Sequence, residues 1–398
     1  MRIRLIVLLS AIGGFLPLAT DGFLPAMRPM MAELGSSVAQ GQLTIGAVLA
    51  GFAVAQLVVG MVADGFGRRP VLIAATGVFA LASIGVAVSP TLPVLLAFRF
   101  LQGFSAAAGP VVMRAVVRDL CSRVEGARVL SYVGAGMGAV PLVVPAVNAQ
   151  VAARLGWRAT LVVCALYLVA VLWMTLAWFR ETLAAPDPGA LSLRDLGRSM
   201  RSVLGHRQAL GYMLCCMFGY AGLAVWISCA PHLLLGYFGQ PAGLFGLWWA
   251  IPALTYVTGG YLSARSLRRH SSDTMLKAGS VVLLVAGAAL VLLLGLRPVP
   301  LTAFVAAVAL YNVGWAIVQP HAQAGALSFF PHLAGRVSAV LGFLQMLGGA
   351  AIGQLFGYLH DGTPRTATML IAGTALATSV VRITLAARPA TDPRSAAP

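Results

Sequence analysis

The chain has 398 residues, 59% of them hydrophobic and only 10% charged, whereas soluble domains carry roughly 25% charged residues. So apolar a composition excludes a soluble globule and makes lipid the solvent. The excess of 27 basic over 11 acidic side chains does not mark a nucleic-acid binder, because the arginines sit in short loops between apolar runs and not along one face.

Apolar runs of spanning length, near 20 residues each, fall at about 5–27, 41–63, 70–89, 92–117, 127–152 and 159–179. A polar stretch, 180–208, follows, and six more runs lie at about 209–233, 241–264, 275–296, 299–322, 335–359 and 366–387. The pattern predicts an all-α membrane protein of twelve transmembrane helices in two six-helix bundles. Its parts are 1–179, a connecting loop 180–208, and 209–398 with a short tail. Arg2 and Arg4 precede the first run, which is longer than a signal-peptide core and has no small-residue cleavage site, so it reads as a retained helix. With the N-terminus inside, most arginines and the lysine fall in inner loops, and only Arg28, Arg154, Arg158, Arg297 and Arg365 fall outside. This bias predicts cytoplasmic termini in a cell inner (cytoplasmic) membrane.

In the first run, Asp21 is the one acid deep in apolar sequence; in the fourth, Arg99 is the one deep base. At ~1.5 Å per residue, Asp21 lies roughly 10 Å and Arg99 roughly 12 Å from the outer ends of their helices. Their depths match, and a membrane-embedded charge normally faces a cavity or a partner. The other reading puts Asp21 at the outer interface of a tilted helix. Between the second and third runs stand Gly60, Asp64, Gly65, Gly67, Arg68, Arg69 and Pro70. Glycines permit a tight reversal, the arginines hold the loop inside, and Pro70 suits a first helical turn.

This spacing resembles the G-x-x-x-D-R-x-G-R-R/K loop signature of the major facilitator superfamily, with Gly60, Asp64, Gly67, Arg68 and Arg69 matching and Gly65 in place of the family's arginine. Ala19–Ala26 resembles the D-x-x-L-P-A segment of the Bcr/CflA-type drug:proton antiporters, the twelve-helix branch. Gln56–Gly60, the R-x-x-Q-G motif at Arg99–Gly103, and Arg114–Asp119 also resemble that branch. The resemblance is densest over residues 19–145, with Cys229-Ala230-Pro231 also similar. It implies alternating access, a small-molecule substrate, proton coupling through Asp21 and Arg99, and a conformational role for Asp64 at a helix N-terminus of the other bundle. Multidrug or amphenicol/bicyclomycin-like efflux is the implied activity, while an exporter or importer of a specific metabolite would share these features.

The fifth run carries Gly134, Gly138, Pro141 and Pro145. Gly134 and Gly138 form a small-xxx-small step, and the prolines bend a helix; plain tight packing is the alternative. The middle loop, with Glu181, Pro186 and Pro188, reads as a solvated tether, with room for a short surface helix near 191–203. In the second half, Gly260 to Arg269 echoes Gly60 to Arg69, with Ala264 in place of Asp64, as an internal duplication would leave it. Candidate cavity residues are Gln56, Gln102, Tyr220, Trp226, Tyr256, Tyr311, Asn312, Trp315 and Gln345; an interfacial belt or helix packing is the other reading for each. His321 and His332 read as surface histidines, and the five cysteines as small buried residues without disulfide or metal spacing. No phosphate-cradling loop, nucleophile elbow or H-E-x-x-H motif occurs, so the chain reads as a non-enzyme without cofactor or metal, a monomer in the bilayer.

Overall fold

The computed structural model describes residues 3–121, 123–183, 185, 193–266, 269–330 and 333–386. Twelve helices carry the fold. In the first bundle, α1 is the bent pair Ile3–Gly13 and Phe15–Glu33, α2 is Val38–Phe66, α3 is Arg68–Val88 and α4 is Leu92–Leu120. A broken α5, Arg123–Met137 then Ala139–Leu155, and α6, Ala159–Trp178, complete it. The second bundle comprises α7 (Arg207–Tyr237), α8 (Phe245–Ser266), α9 (Ser272–Leu293), α10 (Leu301–Ser328), α11 (Ala334–Leu359) and α12 (Arg365–Ala386). Among the described residues ten helices are long and apolar enough to cross a membrane, eleven with the bent α1. The other, α8, has sufficient length at 22 residues, but its tryptophans, tyrosines, threonines and glycines lower its hydropathy.

Caps set several boundaries. Ser37 accepts from Gln40 N at 3.3 Å while Gln40 Oε1 accepts from Ser37 N at 2.9 Å, a capping box that starts α2 ahead of its apolar run. Ser271 caps α9 through Thr274 N at 3.2 Å. Backbones touch where glycines allow it. A Cβ on Gly51 would stand 2.1 Å from Phe100 O, and one on Gly103 1.9 Å from Val48 O, so α2 and α4 cross with nothing between them. Close approach of α1 and α5 runs through Gly13, Gly14 and Gly136 and not through Gly134. Gly13 lies against Met137, Gly14 against Val140 and Gly136 against Ser10, whereas a Cβ on Gly134 would meet nothing within 4 Å.

The short helix for which the connection between bundles has room is present among the described residues. Leu193–Gly205 is a helix whose Leu196 and Val203 are buried. Four of the cysteines are buried and Cys121 half-buried, all with free thiols. His321 is no surface residue. It is 3% exposed and joins Ser263 Oγ of α8 and Ser272 Oγ of α9, each at 2.9 Å. His332, and residues 267–268 of the echoed loop, lie outside the described residues.

Candidate functional site

Between the bundles lies a cavity of about 500 Å³, walled by α1, α2, α4, α5, α7, α8, α10 and α11. It reaches Arg114 and Gly134, both solvent-exposed, towards the end where α1 begins, here the near end. At the opposite, far end the bundles are clasped. Gln42 Nε2 of α2 donates to Ser228 O of α7 at 2.7 Å, and Gln354 Nε2 of α11 donates to Ala39 O of α2 at 2.9 Å. Gly357 gives Gln42 room, and Gly246 of α8 lies against Ala146 of α5. The cavity is therefore open at one end and shut at the other.

Asp21 lies in its wall. The first helix changes to a 3₁₀ turn at Asp21–Phe23, after a 45° bend behind Gly13. Asn148 of α5 holds that turn by donating Nδ2 to Gly22 O at 2.7 Å. The Asp21 carboxyl is 7% exposed and accepts from Thr20 Oγ1 at 2.8 Å. It is the one carboxyl in the described lining, and Arg114 the one guanidinium.

Arg99 is buried at the same segment but makes no ion pair with Asp21. Its guanidinium lies over the Phe23 ring, 4.2 Å from the centroid, and donates Nε to Thr44 O at 3.2 Å and Nη1 to Gln102 Oε1 at 2.9 Å. The α2–α4 crossing brings Thr44 within reach. Arg99 Nη2 and Asn148 Oδ1 have no partner, and both residues line a hole of about 10 Å³, near the room that one water needs.

Of the candidate cavity residues, Gln56, Tyr220, Trp226, Tyr256, Asn312, Trp315 and Gln345 line it, as do Gly138 and Pro141. Two others turn elsewhere. Gln102 is committed to Arg99 and to Ser83 Oγ at 2.8 Å. Tyr311 bonds Gly219 O at 3.1 Å and Thr374 Oγ1 at 3.2 Å inside the second bundle. Pro145 is buried within α5, beyond the described lining. Trp249 was not singled out in the sequence, yet it lines the cavity and stacks on Trp226 at 5.9 Å, with its indole Nε1 buried and without an acceptor. Its signal is the Trp248-Trp249 pair in an otherwise apolar run.

The loop signature assembles at the near end. Gly67 takes φ 100°, ψ 158°, open to glycine alone. Asp64 Oδ1 binds Arg68 Nη1 at 2.6 Å, and Arg68 Nε binds Asp119 Oδ2 at 3.2 Å. Arg69 donates Nε to Phe179 O at 2.8 Å and Nη2 to Leu176 O at 3.3 Å. Gly60 packs against nothing within 4 Å of a built Cβ. Glu181, past the end of α6, caps α3, accepting from Arg68 N at 3.0 Å and Arg69 N at 2.9 Å, an anion at a helix N-terminus. Desolvation pushes this carboxyl up, but backbone donors including Leu183, Arg69 and Arg68 outweigh it and hold Glu181 below the usual 4.5. Nothing local in the sequence marks Glu181 as a cap for α3, because Arg69 and Arg68 lie 112 and 113 residues away.

A family model described as Major Facilitator Superfamily matches residues 6–353. The chain is 30% identical over 355 residues to a chloramphenicol resistance protein of Pseudomonas aeruginosa, covering 88% of this chain and 82% of the relative. It is 27% identical over 345 residues to a bicyclomycin resistance protein homolog of Haemophilus influenzae, covering 85% of each. A multidrug resistance protein D of Escherichia coli is 26% identical over 351 residues, with 88% and 87% covered. Among solved structures, the E. coli xylose transporter XylE in a partially occluded inward open conformation superposes with a TM-score of 0.75 at 14% identity, covering 95% of this chain and 96% of that one. That likeness speaks for the fold. With most of its length matched by the family model and by these relatives, the chain belongs to the Major Facilitator Superfamily.

Proposed function

We propose that this chain exports small, partly apolar organic molecules across the cytoplasmic membrane in exchange for protons. Residues 1–179 and 209–398 rock against each other, tethered by 180–208 on the cytoplasmic side. The arginine-rich near end is cytoplasmic, so the described state faces inward. The observation that carries the reading is Asp21, a buried carboxyl in the wall of an aromatic cavity shared by both bundles. The drug-resistance relatives support efflux as the direction.

Asp21 is the proton seat, filled from outside and emptied inside. Trp226, Trp249, Trp315 and Tyr220 supply an apolar, ring-stacking surface, and Gln56, Asn312 and Gln345 orient polar atoms of the substrate. Arg99 acts as a positioning residue, through the Phe23 ring and the α2 carbonyl, on the turn that carries Asp21. Asp64 is held by Arg68 of its own bundle while the near end is open, and becomes available to the other bundle when it closes. One proton moving through ~100 mV yields about 2.3 kcal/mol, and a pH unit adds about 1.4 kcal/mol. Together these sustain a gradient of roughly a few hundred-fold for a neutral substrate.

The test uses everted membrane vesicles energised with a proton gradient. They are expected to accumulate chloramphenicol or bicyclomycin, with accumulation collapsed by a protonophore. Asp21→Asn is expected to keep ligand binding and lose gradient-driven accumulation. Equal accumulation by Asp21→Asn and wild type sinks Asp21 as the proton seat.

A further inference from the structure

We propose a second ligand site at the far end, for a small amphipathic organic anion, which exists only while that end is shut. A cleft of about 330 Å³ lies there, sharing no lining residue with the central cavity. Pro25, Arg28 and Pro29 of α1 and Ala152 of α5 form one wall, and Leu235 and Phe245 of the second bundle the other.

Arg28 carries the chemistry. It makes no ion pair or hydrogen bond among the described residues, although its guanidinium Nη1 stands 3.9 Å from where a Cβ of Gly236 would sit, on the opposite bundle. Gln240, the other polar lining side chain, is engaged: Oε1 accepts from Trp248 Nε1 at 3.0 Å and Nε2 donates to Phe238 O at 3.3 Å. The unspent group is therefore a solvent-exposed planar cation beside a wall of proline, alanine, leucine and phenylalanine. It matches a sulfonate or carboxylate on an aromatic body, bound by two parallel N–H donors. The volume suits a bicyclic ring system and is far short of what two acyl chains need, so the occupant is a free anion and not a phospholipid.

Because both bundles supply the walls, opening the far end takes the site apart. A ligand that binds one state and not the other shifts the population towards the state it binds. Occupancy here holds the transporter shut on the outside and slows turnover without competing for the central cavity. That effect on turnover rests on the alternating-access reading above, whereas binding does not.

The experiment is isothermal titration of naphthalene-2-sulfonate into the purified chain in phosphatidylcholine nanodiscs. One saturable site is expected, weakened about ten-fold or more by Arg28→Gln, as for loss of a charge-assisted bond. Arg28→Lys, which keeps the charge, is expected to retain most of the binding and so separates lost charge from lost fold. Gln42→Ala/Gln354→Ala, which loosens the far end, is expected to weaken binding as well. Unchanged affinity in Arg28→Gln, or equal binding of the neutral naphthalene-2-methanol, overturns the site. Loss of probe binding in phosphatidylglycerol nanodiscs gives Arg28 to a lipid headgroup and overturns the free-anion assignment. Saturable, Arg28-dependent binding without export in vesicles upholds the site and sinks only the effect on turnover.

Discussion

Replacing Gly67 with alanine sets two costs against each other at one atom. The backbone at φ 100°, ψ 158° lies where only glycine is at ease, a penalty of ~1–3 kcal/mol for any other residue. The new Cβ would also stand 2.6 Å from Glu181 Oε2, so the carboxylate must withdraw from Arg68 N and Arg69 N. Loss of such a cap costs ~0.5–2 kcal/mol, at the low end here because Glu181 is exposed to competing water. Together Gly67→Ala is expected to destabilise the first bundle by ~2–4 kcal/mol, read by thermal unfolding in detergent. Glu181→Gln alone is expected to cost under ~1 kcal/mol. Gly67→Ala combined with Glu181→Ala should cost less than the sum of those two single variants, because the clashing side chain is already gone when the methyl arrives. Full additivity would refute the steric conflict. Since Glu181 ionises below 4.5 in the fold, its share of stability is complete above that value. It is lost as pH falls below it, so the gap between wild type and Glu181→Gln should close in acid.

Two further outcomes follow from buried polar contacts. Gln42→Ala or Gln354→Ala removes one cross-bundle bond, ~1–2 kcal/mol each, and should raise the far-open population roughly five- to thirty-fold; spin-label distances across that end that stay unchanged would rule out the clasp. His321→Ala leaves the Ser263 and Ser272 hydroxyls unpaired and should lower stability by ~1–3 kcal/mol, with a chemical-denaturation midpoint equal to wild type as the contrary result.

The spans were legible because a run of about twenty apolar residues has one meaning in a bilayer, and the 60–69 loop because its chemistry is local. The shared level of Asp21 and Arg99 was legible too, since helical rise sets relative height along neighbouring helices. What the rise does not give is rotation about the helix axis. Arg99 sits at the expected level near Asp21, but its face of α4 points to Phe23 and Thr44. Gln102, three residues on and therefore on the same face, goes with it and not into the cavity. His321 was misjudged in the same way, since nearness to a helix end says nothing about which neighbour the ring meets. Tyr311 turns into its own bundle, where Gly219 and Thr374 satisfy its hydroxyl, a pairing across 63 and 92 residues that no local pattern encodes. Gly134 and Gly138 illustrate a subtler limit. The spacing announced close packing, but Gly134 meets no neighbour, and contact runs through Gly136 of α5 and through Gly13 and Gly14 of the partner helix.

The far-end clasp is built from carboxamides meeting main-chain carbonyls, groups that carry no net charge at any physiological pH. Acid outside the cell cannot protonate it, and brine cannot screen it as it would an ion pair. On the orientation proposed here, these two outer bonds keep their strength across the habitats a cell passes through.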